Sequence, residues 1–255
     1  MRTPTLVALL GAIALFAAAP AARADDGITR LIHVGWGGVA GSGKLQSETR
    51  AVSGFQAIAA KGSVKLVLRQ GAREGLELRA DDNLLPLIET RVVDRGGVPT
   101  LEIGTKDGAS YTTRNPVVAT IDLVTLRAVA VAGSSDVVCD GLKTPLLQIT
   151  VSGSGNLKLH QLDVDELKLK VAGSGNADFS GRATKLGVTI AGSGDADTRA
   201  LEVDDATVSV AGSGDVKVNA RKTLAISVAG SGSVAYTGAA TVTSSIAGIG
   251  RVKKL

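Results

Sequence analysis

The chain has 255 residues, 44% of them hydrophobic but only 2% aromatic, with 32 glycines, one Cys, two His and a formal net charge of +4. One Cys cannot make an internal disulfide, and with two His it cannot complete a zinc site. The apolar content is too high for a disordered tail, and glycine is far below the one-third of collagen, so the expectation is a folded chain with a core of Val, Leu, Ile and Ala.

Residues 1–24 read as a secretory signal peptide. Arg2 supplies the positive start, Leu6 to Ala19 is uncharged and apolar, and Ala22-Arg23-Ala24 has the small-x-small cleavage pattern before Asp25-Asp26. The apolar run is shorter than the roughly 20 residues that span a bilayer. No Cys follows it for a lipid anchor, and no later segment reads as membrane-spanning. Cleavage removes Arg2 and Arg23 and lowers the net charge to +2. Apart from Arg251, Lys253 and Lys254 the basic residues are dispersed, so no nucleic-acid partner is expected.

Residues 25–49 contain Gly35-Trp36-Gly37-Gly38 and read as a Gly-rich leader or N-terminal cap. Gly38-Val39-Ala40-Gly41-Ser42-Gly43-Lys44-Leu45 nearly matches a phosphate-binding P-loop. Leu45 stands where the Mg²⁺-binding hydroxyl belongs, and no βαβ pattern follows. A flexible glycine segment is the better reading.

Residues 50–130 are irregular. Val52 to Ile58, Ser63 to Leu68, Gly75 to Ala80 and Val98 to Ile103 read as strands, with a short helical turn over Asp81–Ile88. They are expected to form irregular first coils of the repeat that follows, with a separate small β subdomain as the alternative.

Residues 131–255 repeat. Gly-Ser-Gly corners or close variants start at Gly133, Gly153, Gly173, Gly192, Gly212, Gly230 and Gly248, 18 to 20 residues apart. Before each corner the apolar residues alternate, as in Leu147, Ile149 and Val151, or Leu167, Leu169 and Val171. After it comes a second short strand with inward pairs Val137/Cys139, Leu157/Leu159, Ala177/Phe179, Ala196/Thr198, Val216/Val218 and Val234/Tyr236. The rest of each unit is polar and Thr-rich and is expected to form a looser third side or a turn. One such unit cannot bury its apolar face alone, whereas stacked units can. The fold class is therefore all-β: a single-stranded parallel β-helix, or β-solenoid, with coils of 18–20 residues. A β-sandwich is the alternative, but it gives no reason for columns this regular. The column Asp136, Asn156, Asn176, Asp195, Asp215, Ser233 is expected to tolerate left-handed backbone and to cap the turns.

The combination of Val52-Ser53-Gly54-Phe55-Gln56-Ala57-Ile58, Val64-Lys65-Leu66-Val67-Leu68-Arg69-Gln70-Gly71, Asp81-Asp82-Asn83-Leu84-Leu85-Pro86 and the Gly-Ser-Gly-Asp/Asn corners from Gly153 to Gly230 resembles the GIN-domain family. That family is described as the head of bacterial autotransporter adhesins. The resemblance spans about residues 50–250 and implies a secreted β-helix with an adhesion role. The chain ends at Leu255 with no residues for a C-terminal membrane barrel, so export through an outer membrane by the chain itself is not expected.

No catalytic, cofactor or metal residue is assigned, and the ligand-binding residues stay unknown. Asp195 and Asp197, in a G-x-D-like pattern shared with Asn176, Asp178 and Asp215, are the candidates for one weak calcium site. Lys158 and Lys217 would repel the ion, and a solvated ladder of turn residues is the alternative. Cys139 falls in the inward column and His160 outward, which suits a small core side chain better than a nucleophile. The serines of the corners (Ser134, Ser154, Ser174, Ser193, Ser213, Ser231) recur, which argues for structure, because a catalytic serine is needed once. Trp36, Tyr111, Tyr236, Phe55 and Phe179 form no visible sugar-stacking platform. The expected function is an exported, non-catalytic binding or scaffold module of the bacterial envelope, periplasmic or at the cell surface. Its partners would be an envelope polysaccharide or a surface protein, met by outward rows such as Gln148/Thr150, Lys168/Lys170, Thr189, Thr207/Ser209 and Ser227. The alternatives are a polysaccharide-processing envelope enzyme and a periplasmic factor that assembles edge to edge through terminal coils near Ile246 and Val252.

Overall fold

Alternation buries one face of a strand, and a glycine then lets the chain turn sharply while its backbone touches the coil beneath. In the computed structural model, which describes residues 38–255, this produces a β-solenoid of about six turns. The expected signal peptide and Trp36 lie outside the described residues.

The elements in chain order are β1 (Val39–Ala40), β2 (Leu45–Arg50), β3 (Ala57–Gly62), β4 (Val64–Gln70), β5 (Gly75–Asp81), a 3-10 turn at Leu85–Leu87, β6 (Ile88–Asp94), β7 (Pro99–Thr105), β8 (Tyr111–Thr112), β9 (Val117–Leu123) and β10 (Ala128–Gly133). Five long strands follow, each rounding most of a coil: β11 (Asp136–Gly153), β12 (Leu157–Gly173), β13 (Ala177–Gly192), β14 (Ala196–Gly212) and β15 (Val216–Gly230). β16 (Ser233–Thr237), β17 (Thr241–Gly248) and β18 (Arg251–Lys254) end the stack.

On the first side, which leads into the glycine corner, Val131, Val151, Val171, Ile190, Val210 and Val228 lie in register and are buried. On the second side, after the corner, Val137, Leu157, Ala177, Ala196, Val216 and Val234 form the facing column. Thr198 is polar yet fully buried there, because its Oγ1 donates to the Lys217 carbonyl at 2.8 Å. Between the two sides stands the corner. Gly212 has φ +134°, and a Cβ on it would lie 2.2 Å from the Gly192 carbonyl oxygen. That oxygen accepts the Ser213 N–H at 2.9 Å, so close backbone approach is itself the contact between coils. The column starts one coil earlier than the repeat suggests, since Gly62 pairs with Gly133. There Ser135 replaces the second glycine. Its buried Oγ accepts the Val64 N–H at 3.0 Å and donates to the Gly62 carbonyl at 3.1 Å.

The third side is not the loose turn that its polar residues imply. Strands continue through it, and Val164, Ala183, Val203 and Ala220 stack and are buried. Register shifts occur here, after Leu159, Asp178 and Thr198. They absorb the one or two residues by which coils differ in length, which is how spacings of 18 to 20 leave the glycine corners aligned.

Residues 39–127 add an arrangement out of chain order. β3 and β4 form a coil under β10 and β11, while β7 and β9, later in sequence, pair in parallel on the other side of β3 and β4. β6 and β5 then cover β7 and β9 antiparallel, and β2 covers β5. Residues 45–49, expected within a leader or cap, therefore belong to strand β2. Its side chains are mostly exposed and include Glu48 and Arg50, which blunts the edge of the sheet. The P-loop-like segment runs into β2 rather than a helix. Its Ser42 N–H is held by Asn83 Oδ1, and Asn83 Nδ2 donates to the Ala40 carbonyl.

Asp81 locks this end. It is buried and accepts hydrogen bonds from Thr113 Oγ1 and Asn115 Nδ2, both at 2.7 Å. Hydrogen bonds from Asn115 and then Thr113 hold its carboxyl below the ordinary value of 3.8. The lowered value means that these bonds contribute stability above pH 4 or so and lose it as the pH falls through the folded-state value. Asp81→Asn is therefore expected to lower the melting temperature at pH 7, with the gap to the parent protein shrinking below about pH 4. Melts followed by circular dichroism from pH 7 to 3 check this; a gap independent of pH would contradict it.

Candidate functional site

The second side carries a groove. One stretch, of about 560 Å³, runs along Asp136, Asn156, Asn176 and Asp195 at the corner and Lys158, Asp178 and Asp197 on the strands. It shares Lys65 and Asp136 with a second stretch of about 680 Å³, bordered by Tyr111, Thr112 and Thr113. Together they cross six successive coils, roughly 24 Å at strand spacing.

The corner residues do a different job from the one their types suggest. None of Asp136, Asn156, Asn176, Asp195 and Asp215 has positive φ; among the described residues only Gln161 does, glycines aside. Their side chains instead reach to the next coil. Asp136 Oδ1 accepts the Asn156 N–H at 2.9 Å, Asp195 Oδ1 accepts the Asp215 N–H at 2.8 Å, and Asp215 Oδ1 accepts the Ser233 N–H at 2.9 Å. The Asn156 amide oxygen accepts from Asn176 Nδ2 at 3.2 Å. A one-acceptor rung leaves each carboxylate with its second oxygen for a ligand.

Ion pairs occur on the third side as well as in the groove. On the third side, Asp163 sits between Arg182 at 2.8 Å and Lys143 at 2.9 Å, which hold its carboxyl far below the usual range. Asp204 is paired there with Lys222 at 2.9 Å. The first side carries rows such as Thr150, Lys170, Thr189, Ser209 and Ser227 in register. In the groove, Lys65 and Lys158 have no ion-pair partner among the described residues. Tyr111 is half-buried at its far end, and burial raises its phenol above the ordinary value. Sequence reasoning missed Tyr111 because it lies 46 residues beyond Lys65 in a segment without repeat, and only the out-of-order coil brings it alongside.

Asp195 and Asp197 both line the groove; Asp195 Oδ1 holds the Asp215 N–H, while its Oδ2 has no hydrogen-bond partner among the described residues. Asp197 is held by Arg199 at 2.6 Å, with Lys217 at 3.8 Å, and these partners keep its carboxyl below the usual range. Cys139 is buried, and that burial pushes its thiol up to about 11, so it is protonated at neutral pH. His160 faces outward, 3.9 Å from the Asp178 carboxylate. The corner serines are exposed and serve the stack through their N–H groups, as at Ser193, which donates to the Gly173 carbonyl at 2.9 Å.

The fold and groove can be set beside known proteins. A crystal structure of a "putative adhesin" from Bacteroides fragilis NCTC 9343 is similar with a TM-score of 0.80 and 26% identity, covering 86% of this chain and all of that one. A second "putative adhesin", from Parabacteroides distasonis ATCC 8503, has a TM-score of 0.66 and 25% identity over 85% of this chain and 99% of that one. A "putative lipid binding protein" from the same organism shares the fold, with a TM-score of 0.71 and 23% identity over 85% of this chain and 99% of that one. No curated protein matches the chain. The model of the family described as "Putative auto-transporter adhesin, head GIN domain" matches residues 54–240, and the chain belongs to that family.

Proposed function

We propose that this chain is an exported binding module of the bacterial envelope and that its ligand is an extended, hydroxyl-rich polymer, an envelope polysaccharide, lying along the second-side groove. The observation that carries the reading is the groove itself: six coils long, lined by repeating acceptors at strand spacing, with Lys65 and Lys158 unpaired among the described residues and one aromatic ring at its end. Many weak polar contacts in register suit a polymer with a repeating backbone better than a compact metabolite. The family and the similar structures carry adhesin names rather than enzyme names, which supports binding without turnover. No helix among the described residues is long and apolar enough to cross a membrane.

Binding of the purified protein to isolated envelope polysaccharides, measured by calorimetry, tests the reading. The combined variant Lys65→Ala, Lys158→Ala, Tyr111→Ala is expected to bind at least tenfold more weakly, about 1.4 kcal/mol. Substituting Thr189 and Ser209 on the first side should change nothing. Equal binding by the groove variant, or no binding of any envelope polysaccharide by the parent protein, would sink it.

A further inference from the structure

The two ends of the stack are finished differently. At the N-terminal end, β5 and β6 run antiparallel over the first coils and β2 adds a charged outer strand. At the other end, β17 pairs only with β15 and β18 only with β16 among the described residues. The last coil therefore presents the unpaired edge of an eight-residue strand, Thr241–Gly248, with no charged residue and no proline. Such an edge is a template for another strand. The core also ends open. Val242 and Val252 are only partly buried, Ile246 is 42% exposed, and Ile249 is 80% exposed.

We propose that this open coil is the interface of a tail-to-tail homodimer, in which β17 pairs antiparallel with β17 of a second copy about a two-fold axis at Ser244. The occupant is a second copy for three reasons. A head-to-tail contact would meet the blunted strands β2 and β6, whereas β17 meets β17 of the second copy without a charged residue. Alternation also selects a register. Inward residues of β17 are Val242, Ser244 and Ile246, set by their pairing with Leu224, Ile226 and Val228. Directly opposed residues of an antiparallel pair point to the same face. Centring the pair on Ser244 places Val242 against Ile246 of the second copy twice and joins the two cores. A one-residue slip would turn these side chains outward. Finally, the axis stands normal to the first side. It swings Arg251, Lys253 and Lys254 of each copy towards the uncharged corner Thr237–Ala240 of the other, so the basic strands do not face each other. Two copies joined in this way would present two grooves, and a multivalent polymer would be held more tightly by both than by either alone.

Sedimentation and light scattering of the full protein at up to about 100 µM should show a dimer, and Ile246→Lys should weaken it by at least tenfold. Ser244→Cys should give a covalent dimer on oxidation, while Ser209→Cys, outward on the first side, should not; buried Cys139 does not compete. The cross-link is the readout if Ile246→Lys disturbs folding, which circular dichroism reports. A monomer throughout this concentration range would overturn the proposal. So would a dimer that ignores Ile246→Lys and fails to cross-link at Ser244, or one that needs residues 25–37 in place of β17.

Discussion

Gly212→Ala is expected to destabilise the protein by about 3 kcal/mol. Positive φ at a non-glycine residue costs roughly 1–3 kcal/mol. The new methyl would also sit 2.2 Å from the Gly192 carbonyl oxygen, and backbone cannot step aside as a side-chain tip can. Relief requires moving two coils apart at the corner, which lengthens the Ser213 N–H bond to Gly192, a loss of about another 1 kcal/mol. At this chain length, about 3 kcal/mol corresponds to a fall in melting temperature of roughly 6–12 °C. Two controls separate the causes. Gly141 has φ +96° with nothing within 4 Å, so Gly141→Ala should cost only the conformational part. Gly71 has neither positive φ nor a neighbour, so Gly71→Ala should be close to neutral. Equal melting temperatures for the Gly212 and Gly71 variants would show that the corner does not depend on close approach.

Phe179→Ala is expected to cost more, about 3–5 kcal/mol, as large-to-small changes of fully buried rings do. Phe179 is completely buried on the second side, beside Leu159 of the coil beneath, in the inward column that also holds Cys139, Thr198, Val218 and the half-buried Tyr236. It is the one aromatic ring in the regular coils without exposure, and small neighbours fixed by the ladder cannot collapse into the space it leaves. Phe179→Leu should recover most of the loss. Chemical denaturation of the three proteins measures this, and a cost below about 1 kcal/mol for Phe179→Ala would mean that the core relaxes far more than close-packed interiors do.

These two residues also mark how far sequence alone reaches. Gly212 and Phe179 were both assignable, one to a corner column and one to an inward column, because a repeat aligns each with counterparts at known spacing. The column Asp136 to Asp215 is legible in the repeat, but the work of its side chains is not. Turn propensity is local, whereas their rungs run to a backbone N–H some 20 residues away that belongs to the next coil. The third side is hidden in the sequence for a related reason. Its polar residues face outward from a strand whose inward positions alternate with them, and register shifts blur the period that would have shown it.

The groove was the least legible feature. Its lysines and corner residues were visible as separate columns, but concavity comes from how two columns flank a corner, and Tyr111 enters from a coil inserted out of chain order. Periodicity in the amino acids determined the β-solenoid, its glycine corners and its aliphatic core, because each of those depends on contacts between equivalent positions of neighbouring units. Tertiary structure alone decided the antiparallel covering of one end, the open strand at the other and the groove. Each of these arises where the repeat stops or where non-equivalent segments meet, and there no internal copy exists to read the pairing from.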